Sequence, residues 1–369
     1  MSLPRALALV ILPALAAAAP PCAITAAFGA DPTTTATISF ASNASDAGAF
    51  VTVSPPLAGG VTRVAAAAFD NSYANAAGVR VVYRAALAGL APKTTYTYAP
   101  SVAGEAAAPR SFTTLSADTA ADVPRVIFWG DLGRDGGGQA FPALEAEAAA
   151  AAARAPGCGA VGIQAGDFAY DLGDHDGARG AAFMERFSNI SAFLPTFTVI
   201  GNHELPTDLP LDVNASHYVN MLGANMPGAS NGSYYSVDVG LNHLVFLSSE
   251  VLALGPYGGV TVAAQSAWLA ADLAAVDRAK TPWVVAILHR PFCASACAAP
   301  RVSAPGSAPK SSPLYPTRPS ATLKQTAQTP TRGAAPLRGR RTPCASSSSR
   351  SFSRAASTSC SRATSTASS

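Results

Sequence analysis

Three short motifs, each placed directly after an apolar run, constrain the fold of this chain more than any other feature. The aspartates of the first two motifs are 36 residues apart, and the second aspartate lies 35 residues before the asparagine of the third, which is about one strand–helix–strand unit. This spacing predicts an α/β fold in which successive loops present these side chains at one edge of a sheet. The motifs are Gly130-Asp131-Leu132-Gly133, Gly166-Asp167-Phe168-Ala169-Tyr170-Asp171 and Gly201-Asn202-His203-Glu204, and a fourth, Leu288-His289-Arg290-Pro291, follows another apolar run.

The side chains in these motifs are of the types that hold a pair of metal ions. Two cations about 4 Å apart need a bridging carboxylate and hard oxygen and nitrogen ligands on each side. Each residue alone is equally consistent with a turn at a strand end, or with ordinary packing. Their joint occurrence in this order favours a two-metal site. The candidate ligands are Asp131, Asp167, Tyr170, Asn202 and His289.

The motif set resembles that of the metallophosphoesterase superfamily and, within it, the purple acid phosphatases. Gly-Asn-His-Glu is shared across the superfamily, and most members carry Asp-x-His at the first motif. This chain has Gly133 in place of that histidine, and it has Tyr170 three residues after Asp167, as the purple acid phosphatases do. The resemblance covers roughly residues 92–291 and implies an acid phosphatase that hydrolyses phosphate monoesters.

The resemblance also implies a role for each candidate ligand. Asp131 and Tyr170 would bind ferric iron, and Asp167 would bridge the two metals. Asn202 and His289 would bind a divalent ion, which is iron, zinc or manganese in the family. The expected cofactor is therefore Fe(III) with one of these divalent metals, and the attacking hydroxide would be activated by the metals.

Two further residues of the third motif are expected near the metals without binding them. The resemblance implies that His203 orients the substrate phosphate or protonates the leaving alkoxide. Glu204 is interpreted either as a partner of the ligands or as a solvated carboxylate.

The histidine count bears on the activity of the chain. The purple acid phosphatases close their site with a Gly-His-x-His motif after the strand that carries the His289 position, and no histidine follows His289 here. The resemblance therefore implies one ligand fewer on each metal and weak or no activity for the chain as written. The other histidines are interpreted as structural or surface residues: His243 on a strand that faces the core, and His175 and His217 in loops.

The region before these motifs predicts a separate β domain. Residues 22–117 contain short alternating runs separated by turn residues, and the stretch from Leu87 to Thr114 resembles the end of a fibronectin-type sandwich. After a linker, residues 124–299 alternate strands and helices. The predicted fold class is an N-terminal fibronectin-type III-like β-sandwich plus an α/β metallophosphoesterase domain, a β-sandwich flanked by helices, that is incomplete at its C-terminus.

The hydrophobic periodicity places eight elements in the second region. Its first strand is predicted to be buried, because its residues are β-branched or aromatic. The predicted strands are Arg125–Trp129, Ala160–Ala165, Thr196–Ile200, His243–Ser248 and Trp283–Leu288, and the predicted helices are Gln139–Arg154, Ala178–Ser188 and Ala263–Val276.

The N-terminus predicts secretion. Arg5 precedes the apolar stretch Leu7–Ala19, so residues 1–21 are interpreted as a signal peptide, with an N-terminal anchor as the alternative. No later run is long and apolar enough to form a membrane helix. The expected location is the extracellular space or a vacuolar or lysosomal compartment. Glycosylation sequons fit that location, at Asn43, Asn189, Asn214 and Asn231.

Charge is distributed unevenly along the 369 residues. Between Arg301 and Ser369 there are eleven Lys or Arg and no Asp or Glu, so the formal net charge of +3 hides an acidic body. That body lacks the basic surface expected of a nucleic-acid partner. Residues 300–369 are interpreted as a basic low-complexity tail, or as the product of a reading-frame or intron error.

Two other functions stay open from the sequence. A related metallophosphoesterase could act on phosphodiesters, although Gly133 and Tyr170 together argue against that reading. Alternatively, a truncated form could bind phosphate or a partner without turnover.

Overall fold

The computed structural model describes residues 19–69, 74–75, 78–79, 81–119, 122–133, 140–153, 159–175, 177–205, 215–228 and 230–291. The predicted signal peptide lies outside the described residues except for its last three positions, and the predicted tail at 300–369 lies wholly outside them. Within the described part of the chain, no helix has the length and apolar character needed to cross a bilayer.

The first part of the chain forms two antiparallel sheets. One sheet has the strand order β1-β2-β8-β5, and the other has the order β10-β9-β3-β4 with β11 also paired to β9. A short ribbon pairs β6 with β7. The strands are β1 Cys22–Phe28, β2 Thr35–Ser42, β3 Phe50–Leu57, β4 Val61–Ala65, β5 Ala67–Phe69, β6 Ala74–Asn75, β7 Gly78–Val79, β8 Val81–Ala88, β9 Thr95–Val102, β10 Glu105–Ala106 and β11 Arg110–Thr113.

Aromatic side chains fill the space between these two sheets. The rings of Phe40 and Tyr83 stack with centroids 5.4 Å apart, and both residues are almost fully buried. The buried Tyr83 hydroxyl donates a hydrogen bond to the carbonyl oxygen of Ala44, at 3.0 Å, so its polar end is satisfied. These contacts follow from the alternation of apolar and polar residues in the sequence, and the predicted N-terminal β-sandwich is confirmed.

The second part of the chain forms two three-stranded sheets with helices around them. Strands β12, β13 and β14 are parallel, while β16 pairs antiparallel with β15 and parallel with β17. The predicted α/β architecture is confirmed, and all eight predicted elements are present with ends shifted by at most three residues. The elements are β12 Arg125–Trp129, α1 Ala140–Ala152, β13 Ala160–Ala165, α2 Ala178–Ser191, β14 Thr196–Val199, α3 Ser216–Met221, β15 Tyr235–Val239, β16 Asn242–Phe246, α4 Glu250–Ala253, α5 Val262–Ala275 and β17 Trp283–Ile287.

The predicted burial of strand β12 is wrong. Val126 is 40% exposed and Phe128 is 59% exposed, although the β13 residues opposite them, Val161 and Ile163, are buried. The reason is position in the sheet, because β12 pairs with β13 on one side and with no described strand on the other. Composition distinguishes a strand from a helix, but it does not distinguish an edge strand from a central one.

The β-sandwich packs directly on the α/β region through strand β1. The backbone N–H of Ile24 donates to Ser188 Oγ at 3.1 Å, and the Tyr98 hydroxyl donates to the carbonyl oxygen of Ala192 at 2.8 Å. One hydrophobic core includes residues from the sandwich and from the inner faces of β13 to β17. The boundaries predicted for the two domains stay predictions.

Candidate metal centre

The carboxyl ends of β12, β13, β14 and β17 bring the four motifs to one place. Asp131, Asp167, Asn202 and His289 each lie two or three residues beyond the end of their strand. Backbone hydrogen bonds join the first two loops, since Asp131 N–H donates to the carbonyl oxygen of Gly166 at 3.2 Å. Parallel strands that end at the same edge explain why residues far apart in sequence meet here.

The predicted ligand atoms lie within reach of one another. Asp131, Asp167 and His289 each offer a ligand atom, and these atoms all lie within 4.8 Å of one another. His289 Nε2 is 3.4 Å from Asp167 Oδ1 and 3.2 Å from Asn202 Oδ1, while the Tyr170 hydroxyl donates to Asp131 Oδ1 at 3.0 Å. The structure therefore gathers all five candidate ligands, and their roles as ligands stay predictions.

Two glycines make this close approach possible. A Cβ atom on Gly166 would lie 2.8 Å from both His289 Cγ and the Cα of Gly201. A Cβ atom on Gly201 would lie 2.4 Å from Asp167 Oδ1. Real Cβ atoms do not come that close to other atoms, so the absence of a side chain at these positions lets the loops carry their ligands into contact.

The backbone at the site is strained. Asp131, Asp167, Tyr170 and Asp171 have φ values of 53°, 52°, 53° and 82°, in the left-handed region that non-glycine residues rarely adopt. Such residues cost about 1–3 kcal/mol each and persist where surrounding contacts fix them, typically at functional sites. Four of them within two adjoining loops is an independent indication that this edge of the sheet has a function.

Acidic and basic side chains are paired within the cluster. The pKa of Asp167 is lowered, because hydrogen bonds from His289 and from the His203 backbone outweigh the effect of burial. Burial lowers the pKa of His289, but its hydrogen bonds to Asp167 and to the carbonyl of Ala165 raise it to about 9. The second of these bonds, from Nδ1 at 2.9 Å, turns Nε2 toward the carboxylates.

The donor set fits a pair of hard cations. Carboxylate, phenol, amide and imidazole donors lie close together, and the ligand atom of Asp167 lies within 4.8 Å of those of Asp131 and His289. Burial and the neighbouring Asp131 raise the pKa of Tyr170 to about 12, so a phenolate at this position requires a strongly charged cation. Ferric iron meets that requirement, and a divalent ion fits the amide and imidazole side.

His203 lies on the more open side of the cluster and is paired with Asp171. Its Nδ1 is 2.9 Å from Asp171 Oδ1, and its Nε2 is 3.9 Å from Asp167 Oδ2. The hydrogen bond with Asp171 raises the pKa of His203, against the opposing effect of burial. The sequence interpretation gave Asp171 no role, although it stands directly after Tyr170 in the second motif.

Glu204 is buried rather than solvated, with 2% of its surface exposed. Its carboxylate accepts hydrogen bonds from three backbone N–H groups, those of Asp167, Phe168 and Gly201, at 2.8 to 2.9 Å. Burial raises its pKa to about 7, while the N–H donors favour the charged form. Of the two readings left open by the sequence, the structure supports a partner of the ligand loops.

An ion pair between a half-buried arginine and a buried glutamate supports the end of strand β17. Arg290 Nε donates to both carboxylate oxygens of Glu250, each at 2.9 Å, and its backbone N–H donates to Ser249 Oγ at 2.9 Å. Glu250 is fully buried. Sequence reasoning missed this pair, because the partners are 40 residues apart and no local pattern connects them.

The remaining described histidines lie outside the cluster. The two ring nitrogens of His243 on β16 face Asp238 and Asp272, at 2.7 and 3.0 Å. His175 lies in the turn before α2, and His217 lies in the short helix α3.

Comparisons with known proteins show what the chain is similar to. Residues 21–114 match the family model "Purple acid Phosphatase, N-terminal domain". The chain is 37% identical over 177 residues to acid phosphatase type 7 of Homo sapiens, which covers 47% of this chain and 37% of that protein. It is 32% identical over 222 residues to the Danio rerio protein of the same name, covering 59% and 46%. The chain thus spans less than half the length of these relatives.

A solved structure shows the same fold. Purple acid phosphatase isolated from yellow lupin seeds superimposes with a TM-score of 0.57 and 19% identity, covering 73% of this chain and 51% of that chain. The fold of the described residues is therefore the fold seen in a purple acid phosphatase structure. The chain is therefore similar to the purple acid phosphatases, through the match of residues 21–114 to their N-terminal domain and through its sequence identity to the acid phosphatase type 7 proteins.

Proposed function

We propose that the chain is an acid phosphatase that hydrolyses phosphate monoesters with a dinuclear centre of Fe(III) and a divalent iron, zinc or manganese ion. The observation that carries the proposal is the convergence of Asp131, Asp167, Tyr170, Asn202 and His289 at one sheet edge. Two relatives named as acid phosphatases of the same type support it.

The candidate ligands would divide between the two metal ions. Asp131 and Tyr170, which share a hydrogen bond, would hold the ferric ion. Asn202 and His289, whose donor atoms are 3.2 Å apart, would hold the divalent ion. Asp167, whose Oδ1 is 3.4 Å from His289 Nε2, would bridge the two metals. When bound, such a pair of cations neutralises charge on a transferring phosphoryl group and supplies its nucleophile.

His203 would serve the leaving group. Its Nδ1 is engaged by Asp171, so Nε2, which is 3.9 Å from Asp167 Oδ2, is the ring nitrogen that would face a substrate at the cluster. The raised pKa keeps the imidazole protonated in mildly acidic solution, so it can orient an anionic phosphate and then give its proton to the departing alkoxide. This requirement for the protonated form agrees with an acidic working pH.

The test is hydrolysis of para-nitrophenyl phosphate by the purified chain after iron and zinc are supplied, with Asp167→Asn as the site variant. Asp277→Asn is the matched control, because Asp277 is an exposed carboxylate outside the cluster. We expect turnover at acidic pH that the site variant loses and the control retains. Turnover that survives Asp167→Asn would overturn the two-metal assignment.

The same assay separates the alternatives. Preference for bis-para-nitrophenyl phosphate at neutral pH would favour a phosphodiesterase. Phosphate binding without hydrolysis would favour the non-catalytic form, which the absence of histidine after His289 makes a specific alternative. Entry into the secretory pathway, by residues 1–21, is proposed with this function.

A further inference from the structure

The Glu204 carboxylate lies between the two loops that carry most of the candidate ligands. One loop follows β13 and contains Asp167, and the other follows β14 and contains Asn202. Glu204 Oε2 accepts from the N–H of Asp167 at 2.8 Å and from the N–H of Gly201 at 2.9 Å. Its Oε1 accepts from the N–H of Phe168 at 2.9 Å. One side chain thus ties both loops together.

The contact is reciprocal. The backbone N–H of His203, next to Glu204, donates to Asp167 Oδ1 at 3.1 Å. The ligand Asp167 therefore has its backbone held by Glu204 and its carboxylate oriented by the neighbour of Glu204. Gly201 allows this interlock, because a Cβ atom there would lie 2.6 Å from the Asp167 nitrogen.

We propose that Glu204 is a positioning residue for the metal centre: its carboxylate fixes the distance and orientation between the bridging Asp167 and Asn202, and so sets the affinity for metal. The proposal rests on the proposed function, because it assigns Glu204 to the same site. A carboxylate is required, since it can accept all three N–H bonds, whereas an amide would direct its own N–H₂ group at one or more of these donors. Groups that orient metal ligands typically change metal affinity by about 10- to 100-fold when removed.

The experiment measures Zn²⁺ binding to the full chain by equilibrium dialysis. Glu204→Gln replaces one acceptor oxygen with an N–H₂ group at almost unchanged side-chain volume. We expect the Zn²⁺ affinity of this variant to fall by about 10- to 100-fold. The matched control is Asp46→Asn, because Asp46 also accepts two backbone N–H bonds, from Gly48 and Ala103 at 2.8 Å, but lies in the β-sandwich. The control should bind Zn²⁺ as wild type does.

A site variant separates the two proposals. Binding that Asp167→Asn abolishes and Glu204→Gln leaves within about threefold of wild type would overturn the role of Glu204 and leave the metal centre standing. No Zn²⁺ binding by wild type would overturn the metal centre, and the role of Glu204 with it. Circular dichroism on each variant distinguishes weak binding from loss of fold.

A second measurement needs no variant, so it applies even if Glu204→Gln does not fold. The N–H groups of Asp167, Phe168 and Gly201 lie in loops, and their hydrogen-bond acceptor is a side chain. We expect their hydrogen exchange in wild type to be slowed at least about tenfold relative to unprotected amides. Exchange of all three at the unprotected rate would show that the carboxylate does not hold the loops, and would overturn the proposal.

Discussion

Asp171 accepts the Nδ1 hydrogen bond of His203, with 2.9 Å between the two atoms. Asp171 has a φ of 82°, so the backbone adopts an unfavourable conformation to place this carboxylate beside the ring. Carboxylates in this relation to an imidazole fix its tautomer and stabilise its protonated form. A role for His203 as proton donor therefore depends on Asp171.

Asp171→Asn should keep the hydrogen bond to His203 Nδ1 but remove the negative charge beside the ring. Under the proposed function, we expect kcat on phosphate monoesters to fall by about 10- to 100-fold. Asp171 raises the pKa of His203, so the pKa of His203 should be lower in the variant. The alkaline limb of the pH–rate profile should therefore move to lower pH than in wild type. A pH–rate profile measures both effects. An unchanged alkaline limb would contradict a role for the His203 proton.

Tyr170→Phe tests the ferric ligand by spectroscopy. A phenolate bound to ferric iron absorbs visible light, so wild type loaded with Fe³⁺ should show a band that the variant lacks. Tyr234→Phe is the control, because Tyr234 packs against Trp268, with ring centroids 5.1 Å apart, away from the candidate ligands. A band that persists in Tyr170→Phe would exclude Tyr170 as the source of the colour.

Gly201→Ala should disturb the candidate metal centre without replacing any candidate ligand. The added Cβ would lie 2.4 Å from Asp167 Oδ1 and 2.6 Å from its nitrogen, so the two ligand loops must separate. We expect a loss of about 1–3 kcal/mol in the free energy of unfolding, measured by urea titration, together with weaker Zn²⁺ binding. Gly48→Ala is the control, since its Cβ would meet a surface Asp46 oxygen at 3.3 Å. Equal effects of the two substitutions would contradict the argument from close approach.

His243 predicts a pH dependence of stability that is independent of the metal centre. Burial lowers its pKa, but hydrogen bonds to Asp272 on α5 and Asp238 on β15 raise it above its usual value. The stabilisation is therefore complete below the unfolded pKa of about 6.5 and is lost as pH rises through the higher folded pKa.

The measurement compares wild type with His243→Gln at several pH values. We expect a difference of about 1 kcal/mol in unfolding free energy at pH 5.5 that shrinks toward pH 9, after allowance for solvent screening. Taking the difference between the two proteins removes the titration of other groups. A difference that grows with pH would mean that His243 is neutral in the folded protein.

The sequence was sufficient to predict which residues meet at the site. Asp131, Asp167, Asn202 and His289 each follow an apolar run, and parallel strands bring such positions to one edge whatever the helices between them do. The spacing of the motifs was therefore enough to predict that these four residues lie close together.

Other features depend on contacts that leave no local pattern. The burial of Glu204 follows from N–H donors 36 and 37 residues earlier in the chain, and Arg290 finds Glu250 across a similar interval. Strand β12 has the composition of a central strand, but its residues are partly exposed because β12 lies at the edge of its sheet.

The packing of β1 on α2 affects what would happen if the chain were cut. The bonds from Ile24 to Ser188 and from Tyr98 to Ala192, with the core that surrounds them, would survive cleavage of the backbone between Leu115 and Arg125. The two pieces should stay associated as complementing fragments, whereas either piece produced alone would expose a large apolar face and tend to aggregate. We therefore expect the N-terminal β-sandwich to act as a scaffold for the strands that carry the candidate ligands, not as a detachable module.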